Sequence, residues 1–358
     1  MYNLLRARSL VCLYLWAIWP VCVLISFVSA AGGELSDHLQ IVKIPESHSG
    51  NTQPSRIWIP PAIMPGSESN KARPLVVVLH TWSGNFMQNK FSGGEKDGII
   101  EVLEACSSLG WMMVMPDFRG PNTRPEACGS PMAVRDVLDA IHYMKSRYPV
   151  DSSAVFLVGV SGGGHMALLT AAHFPEVFAG VSSWVPISDL AAWHRECRAS
   201  GRAYADHLEK VCGGPPGASE AVDTEYRMRS PLTFLQNAGI RNVPLDINAG
   251  IHDGHSGSVP ISHSLNAFNR ITQYHHDSTG LIPDEVINLM VREARVPDSL
   301  SFPHPDGVGQ EIAESRRNRI LFRREAGRAR VTLFDGGHEG EIPAAFHFFS
   351  AIYSGNRD

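Results

Sequence analysis

Residues 155–170 read VFLVGVSGGGHMALLT, and this stretch decides the fold. Its first half is a continuous apolar run, which is typical of a strand buried on both faces of a parallel sheet. Its second half has the composition of a buried helix, and between the two halves four glycines surround Ser161. Glycine loses more backbone entropy on folding than any other residue. Glycines at this density therefore indicate that the backbone is sharply turned or closely approached here.

Glycine-rich loops between a strand and a helix can bind phosphate groups, but this loop has the wrong spacing for that. A P-loop requires a lysine directly after its last glycine, and none follows residues 162–164. A dinucleotide site requires G-x-G-x-x-G, which these glycines do not match. We therefore expect no nucleotide cofactor.

The spacing instead fits a nucleophile elbow. Residues 159–163 form G-x-S-x-G between a predicted strand and a predicted helix, which is the context in which this motif presents a reactive serine. Gly159 and Gly163 leave room where the helix packs on the strand. The turn lifts the hydroxyl of Ser161 clear of the sheet, and the backbone N–H of Gly162 points at an incoming carbonyl. We predict that Ser161 is the nucleophile and that Gly162 is an oxyanion donor.

A serine nucleophile needs a histidine base and a carboxylate that orients the histidine. In this architecture they follow in the order serine, acid, histidine. His338 lies in the glycine-rich loop after the last predicted strand, and Asp253 lies in the loop after the strand before it. We predict a triad of Ser161, Asp253 and His338. Three other carboxylates remain as alternatives for the acid: Asp189, Asp246 and Asp335.

The second oxyanion donor is expected in the loop after the strand PLVVVLH, which continues as TWSGN. In hydrolases with an HG-x loop, the residue after that pair donates its backbone amide. Trp82 occupies that position, and Thr81 stands where the glycine is usual. We favour Trp82 over Thr81 as the donor. Its indole would also form a wall beside the acyl group of a substrate.

The sequence HDGH at residues 252–255 raises a metal-dependent alternative. His252, Asp253 and His255 are all of metal-ligand type. Their spacing lacks the i, i+4 helical register of metalloprotease sites, and no further ligand is evident nearby. We therefore expect no metal, and we expect the two histidines to border the pocket.

Strand and helix patterns alternate along the chain from residue 74 onwards. Apolar runs alternate with amphipathic stretches such as residues 132–147. This alternation predicts an α/β fold with a doubly wound, mostly parallel sheet. Residues 190–236 and 278–325 are longer than a crossover requires, and we interpret both segments as lid-like insertions in one catalytic domain, residues 31–358.

The N-terminal segment has the order of a secretory signal. Arg6 and Arg8 precede an apolar run that ends in small residues at Ala30. We expect residues 1–30 to be a cleaved signal peptide and the protein to be secreted or periplasmic, although the run is also long enough for an uncleaved membrane anchor. Export permits disulfides. Cys12 and Cys22 lie in the N-terminal segment, which leaves Cys106, Cys128, Cys197 and Cys212. Four cysteines permit three pairings, and we expect a local Cys197–Cys212 bridge.

Composition excludes some classes of partner. Hydrophobic residues make up 44% of the chain and charged residues 19%, which is typical of a globular enzyme. The net charge is −5, and Lys and Arg form no stripe along the sequence. We therefore expect no nucleic-acid partner. We also expect no membrane partner unless the N-terminal segment is retained.

These stretches together resemble the α/β-hydrolase superfamily and, within it, the catalytic domain of the prolyl oligopeptidase family. The matching segments are VVVLHTWSG, VGVSGGGHMAL, SPLTFL, INAGIHDGHSGSVPISHS and FDGGHEG. The acid loop of that family commonly reads H-G-x-x-D-x-x-V-P. Residues 250–253 keep the G-x-x-D spacing, but GHSGS lengthens the path to Val259 and Pro260.

The resemblance implies an acyl-enzyme mechanism and points towards a peptidase. In that family a large β-propeller gates the site, and residues 31–73 are too few to form one. Propeller-less relatives of this layout include secreted acetylxylan-type and feruloyl-type esterases. We therefore expect a carboxylesterase acting on an acylated carbohydrate or another small ester, with a serine-type peptidase acting on a peptide substrate as the second candidate. A binding module on an inactive hydrolase fold is a third.

Overall fold

The computed structural model describes residues 35–61, 71–91, 98–274, 280–302 and 316–355. A helical turn at residues 35–38 belongs to one unit, Met1–Leu39, and the rest of the structure forms a second unit, Gln40–Asp358. The expected signal peptide at residues 1–30 lies outside the described residues. In the described ranges, no helix is both long enough and apolar enough to cross a membrane.

A nine-stranded sheet organises the second unit. Its strands are β1 (Gln40–Pro45), β2 (Thr52–Trp58), β3 (Arg73–Leu79), β4 (Met112–Pro116), β5 (Val150–Val160), β6 (Gly180–Trp184), β7 (Leu245–Gly250), β8 (Ile320–Ala326) and β9 (Ala329–Phe334). They lie in the order β1-β2-β4-β3-β5-β6-β7-β9-β8. The six strands from β4 to β9 in this order pair in parallel, while β1, β2 and β8 are antiparallel additions at the edges.

Helices connect and cover the strands. They are α1 (Gly98–Leu109), α2 (Pro131–Arg147), α3 (Gly162–His173), α4 (Leu190–Ala199), α5 (Tyr204–Cys212), α6 (Glu220–Met228), α7 (Leu235–Ile240), α8 (Ser262–Thr272), α9 (Asp284–Glu293) and α10 (Ile342–Gly355). The prediction of a doubly wound, mostly parallel α/β sheet is confirmed.

Burial on both faces explains why the central strands read as continuous apolar runs. Every residue of β4, β6 and β7 is buried, as are the last six residues of β3 and the last seven of β5. Parallel strands are joined by helices that cover both faces of the sheet, so no face is left for polar residues. Because β3, β5, β7 and β9 run parallel, their carboxyl ends lie at the same edge of the sheet, and the loops at that edge carry the candidate site.

The segment at residues 278–325 differs from the expected insertion. Its last part belongs to β8, which pairs antiparallel with β9 as an edge strand of the sheet. β8 reads ILFRREA and exposes arginine and glutamate, so its sequence lacks the apolar run that marks the central strands. Before β8 the segment contributes α9, and residues 303–315 lie outside the described residues.

The segment at residues 190–236 folds into α4, α5 and α6. These helices share one apolar cluster that also includes Trp82 and Val259, so the segment packs on the loop after β3 and on the acid loop. Its role as a lid stays a prediction.

The expected Cys197–Cys212 disulfide is wrong in this structure. Cys106, Cys128, Cys197 and Cys212 are all free and buried. Three of them lie in the apolar cluster under α4–α6, where burial raises the pKa of the Cys197 and Cys212 thiols to about 12. In this environment the thiols behave as small apolar groups.

Candidate active site

The turn between β5 and α3 has the geometry of a nucleophile elbow. Ser161 has φ 59° and ψ −118°, a strained conformation for a residue with a side chain. A Cβ atom added at Gly159 would lie 2.1 Å from the carbonyl oxygen of Gly163, and one added at Gly163 would lie 2.4 Å from that of Leu79. Both positions therefore exclude side chains, which explains the two glycines of the motif.

The three residues predicted as a triad come together in one hydrogen-bonded chain. Nε2 of His338 lies 2.8 Å from Oγ of Ser161, and Nδ1 of His338 lies 2.7 Å from Oδ2 of Asp253. Asp253 is 2% exposed and Ser161 is 9% exposed, while the side chain of His338 between them is 21% exposed. A carboxylate at Nδ1 holds the imidazole with its proton on Nδ1, which leaves Nε2 free to accept the serine proton.

The second carboxylate oxygen of Asp253 is bound by its own loop. Oδ1 accepts the backbone N–H of Gly254 at 2.9 Å and that of Val259 at 3.1 Å. Both oxygens of the buried carboxylate are thus hydrogen-bonded, which fixes its direction.

The three rival carboxylates have other partners. Asp189 caps α4 by accepting the N–H groups of Ala191 and Ala192. Asp246 is fully buried in β7, where it pairs with Arg330 at 2.6 Å. Asp335 is about half exposed and faces His252 and Arg319 at the surface. Among the described residues, Asp253 is the carboxylate that contacts His338.

The loop after β3 brings a backbone amide to the elbow. A Cβ atom added at Gly162 would lie 2.5 Å from the backbone nitrogen of Trp82, so the two amides border the same space beside Ser161. Thr81 is not available, because its N–H donates to Oε1 of Gln88 at 2.9 Å. The geometry therefore brings together Gly162 and Trp82, the favoured pair of oxyanion donors, and gives the Thr81 amide another partner.

The indole of Trp82 packs against helices of the 190–236 segment. It meets the ring of Trp193 edge to face at a centroid distance of 4.7 Å, and the ring of Tyr204 lies 6.3 Å away. Its N–H donates to Nδ1 of His207 at 3.3 Å. The sequence pattern of this segment does not indicate a place in the site, because α4 and α5 reach the oxyanion loop only in the folded structure.

The metal-dependent alternative lacks a converging ligand set. Nε2 of His255 donates to the carbonyl oxygen of Val291 at 2.6 Å, and His252 faces Asp335, so the two side chains diverge from Asp253. Within the described ranges, the histidine and carboxylate atoms that do converge belong to His48, Asp136 and Asp139.

His165 on α3 takes no part in the triad. It is fully buried, and its Nε2–H donates to the carbonyl oxygen of Arg229 at 2.7 Å. Burial lowers the pKa of this imidazole to about 4, so it stays neutral at physiological pH. It packs in the first turn of the helix.

Comparisons with known proteins agree with this geometry. Residues 102–282, about half of the chain, match the prolyl oligopeptidase family, a range that includes Ser161 and Asp253. The curated protein acylamino-acid-releasing enzyme 1 of Oryza sativa subsp. japonica is 27% identical over 167 residues, which cover 44% of this chain and 20% of that protein. Acylamino-acid-releasing enzyme 2 of the same plant is 23% identical over 237 residues, covering 59% and 29%. The chain therefore matches less than a third of each relative's length.

Solved structures share the fold. A puromycin hydrolase superposes with a TM-score of 0.54 at 15% identity, covering 88% of this chain and 39% of that one. An acylaminoacyl peptidase bound to Z-Gly-Gly-Phe-chloromethyl ketone superposes with a TM-score of 0.50 at 16% identity, covering 66% and 35%. The fold, the elbow and the family match together show that the chain belongs to the prolyl oligopeptidase family of α/β-hydrolases.

Proposed function

We propose that the protein is a serine-type peptidase that cleaves an acylated amino acid from the N-terminus of a peptide. The observation that carries the proposal is the hydrogen-bonded chain from Ser161 through His338 to Asp253, in a member of the prolyl oligopeptidase family. The names of its curated relatives support the substrate class. The sequence alone favoured a carboxylesterase over a peptidase, and the present proposal reverses that preference.

The geometry supports a conventional acyl-enzyme route. Oγ of Ser161 attacks the scissile carbonyl as His338 Nε2 takes its proton, while Asp253 stabilises the imidazolium that forms. The negative charge on the former carbonyl oxygen would lie between the backbone N–H groups of Gly162 and Trp82. One donor of this kind lowers the activation barrier by about 3 kcal/mol. His338 then protonates the leaving amine, and a water molecule activated by His338 releases the acyl group from Ser161.

The surroundings of the oxyanion loop suit an uncharged acyl group. The cluster that packs on Trp82 is apolar and aromatic, and the carboxylates of α4 and α5 are already paired: Glu196 with His263, Asp206 with Arg198, and Glu209 with His194 and Arg198. Burying a free ammonium group without a carboxylate partner is costly. A blocked N-terminus avoids that cost.

Three chromogenic substrates test the proposal. N-acetyl-alanine p-nitroanilide should be cleaved with a higher kcat/KM than alanine p-nitroanilide, and Ser161→Ala should abolish both reactions. A fluorophosphonate should add its mass to the peptide that contains Ser161. Cleavage of p-nitrophenyl acetate without cleavage of the acetylated anilide would instead support the carboxylesterase, since an ester demands less of the general acid.

We also propose that the protein is exported. The support is the order of Arg6 and Arg8, the apolar run and the small residues at Ala30. Expression of the full sequence in a host with a secretory pathway, followed by N-terminal sequencing, should give a mature protein that begins at Ala31. Recovery of the intact N-terminus in the membrane fraction would indicate an anchor and would contradict cleavage.

A further inference from the structure

Asn122 lies in the loop after β4 and is tied to the oxyanion loop. Its backbone N–H donates to the carbonyl oxygen of Trp82 at 2.8 Å, and the residue is fully buried. The hydrogen bond joins the loop after β4 to the loop after β3, in which the Trp82 amide borders the elbow.

The orientation of the Asn122 side-chain amide follows from its hydrogen bonding. Oδ1 accepts the backbone N–H of Cys128 at 2.8 Å. An N–H group needs an acceptor, so the oxygen must face Cys128 and Nδ2 must face the other way. Within the described part of the chain, buried Nδ2 finds no hydrogen-bond partner. Buried polar groups are nearly always satisfied, so Nδ2 is a donor with a free hydrogen-bonding position, open to an ordered water or to a bound ligand.

The unpartnered nitrogen lies beside the elbow. A Cβ atom added at Gly162 would be 3.1 Å from Nδ2 of Asn122 and 2.5 Å from the backbone nitrogen of Trp82. As the first residue of α3, Gly162 has a backbone N–H without an intrahelical acceptor. Three N–H donors from three separate loops therefore border the same space next to Ser161.

We propose that Asn122 is a catalytic residue whose Nδ2–H group donates a third hydrogen bond to the oxyanion of the tetrahedral intermediate. The inference rests on the proposed function, because the oxyanion forms only if Ser161 attacks a carbonyl. The bond strengthens as charge develops on the oxygen, so it stabilises the transition state more than the bound substrate. Asn122 therefore acts on kcat, with little effect on KM.

Two substitutions separate this role from a structural one. Asn122→Asp keeps an oxygen for the Cys128 N–H and replaces the donor, and Asn122→Ala removes both. Thr170→Val is the matched control. Like Asn122, Thr170 is buried and carries an unpartnered polar side-chain atom, but it lies in α3, nine residues after Ser161. Active-site titration with a fluorophosphonate counts the folded, reactive molecules. Because kcat is then expressed per titrated site, a variant that folds poorly does not show a falsely low kcat.

Substrate turnover and inhibitor binding are then compared. For N-acetyl-alanine p-nitroanilide, we expect kcat per titrated site to fall by about 10²–10³ in both Asn122 variants, with KM nearly unchanged, and Thr170→Val to match wild type. The affinity for the trifluoromethyl ketone analogue, which forms a tetrahedral oxyanion with Ser161, should fall in parallel. The affinity for the corresponding alcohol should not change.

Wild-type kcat in the titrated Asn122 variants, or reduced kcat with unchanged ketone affinity, would overturn the role of Asn122 while leaving the serine hydrolase in place. The absence of a fluorophosphonate adduct on wild-type Ser161 would overturn both the proposed function and this inference.

Discussion

The backbone N–H of Val259 donates to Oδ1 of Asp253 across six residues, and this bond closes the acid loop. Gly254 turns the chain with φ +91°, and a Cβ atom at Gly257 would lie 2.1 Å from the same oxygen. The extra residues GHSGS therefore wrap round the carboxylate. A loop that is longer than the usual family pattern still holds the acid, because its glycines allow the backbone to approach so closely.

Asp253→Asn should lower kcat by about 10⁴. The amide would present an N–H to Nδ1 of His338 and so favour the tautomer whose Nε2 cannot accept a proton. Asp189→Asn is the control, since asparagine also caps a helix and the Asp189 carboxylate accepts hydrogen bonds from Ala191 and Ala192 of α4. Steady-state kinetics on N-acetyl-alanine p-nitroanilide measures both variants. An equal loss in Asp189→Asn would argue against Asp253 as the acid.

Asp246→Asn should destabilise the fold by about 3–5 kcal/mol at neutral pH, because the partly buried Arg330 and the buried Arg316 would lose their buried counter-charge. Burial alone would raise the pKa of Asp246, but the charges of Arg330 and Arg316 hold it at about 2, below its usual 3.8. A lowered carboxyl pKa stabilises the protein above pH 4 and loses that contribution as the pH falls through about 2.

Urea unfolding of wild type and Asp246→Asn at pH 7, 4 and 3 checks this prediction. The difference in unfolding free energy should be largest at pH 7 and should shrink as the pH falls. Asp298→Asn, at a fully exposed carboxylate, should show almost no difference at any pH. If the difference in unfolding free energy stayed constant from pH 7 to pH 3, the carboxylate of Asp246 would not be the group whose protonation changes the stability.

Gly163→Ala should destabilise the protein by about 1–3 kcal/mol, since the new methyl group would press on the carbonyl oxygen of Leu79 at the end of β3. Gly355→Ala, near the end of α10, is the control, because a Cβ atom there meets nothing within 4 Å. Thermal unfolding should separate the two variants by several degrees. Equal melting temperatures would show that the elbow tolerates a side chain.

The four buried cysteines should be inaccessible thiols in the native protein. Ellman's reagent should react with none of Cys106, Cys128, Cys197 and Cys212 until a denaturant is added, and then with all four. Intact mass before and after reduction should be identical. A gain of two hydrogen masses on reduction, mapped to Cys197 and Cys212, would restore the local disulfide that the sequence suggested.

Strong local patterns made much of the fold and site predictable. The strand–turn–helix around Ser161 is encoded by the positions of the glycines, and buried parallel strands appear as apolar runs. β8 was missed because an edge strand with one exposed face needs few apolar residues. The disulfide was misjudged because cysteine spacing carries no information about burial. Asn122 carries no local motif, so its place at the elbow follows only from the packing of three loops.

The sequence by itself determined the fold class, the nucleophile and the order of the triad, since these depend on residues close in sequence or on their position after a strand. Only the tertiary structure decided which carboxylate meets His338, because all four candidates are distant from one another or from His338 until the sheet is packed. It also decided which N–H groups border the elbow. Those groups come from the ends of β3 and β4 and the start of α3, and distances between separate loops are set by how the sheet is packed.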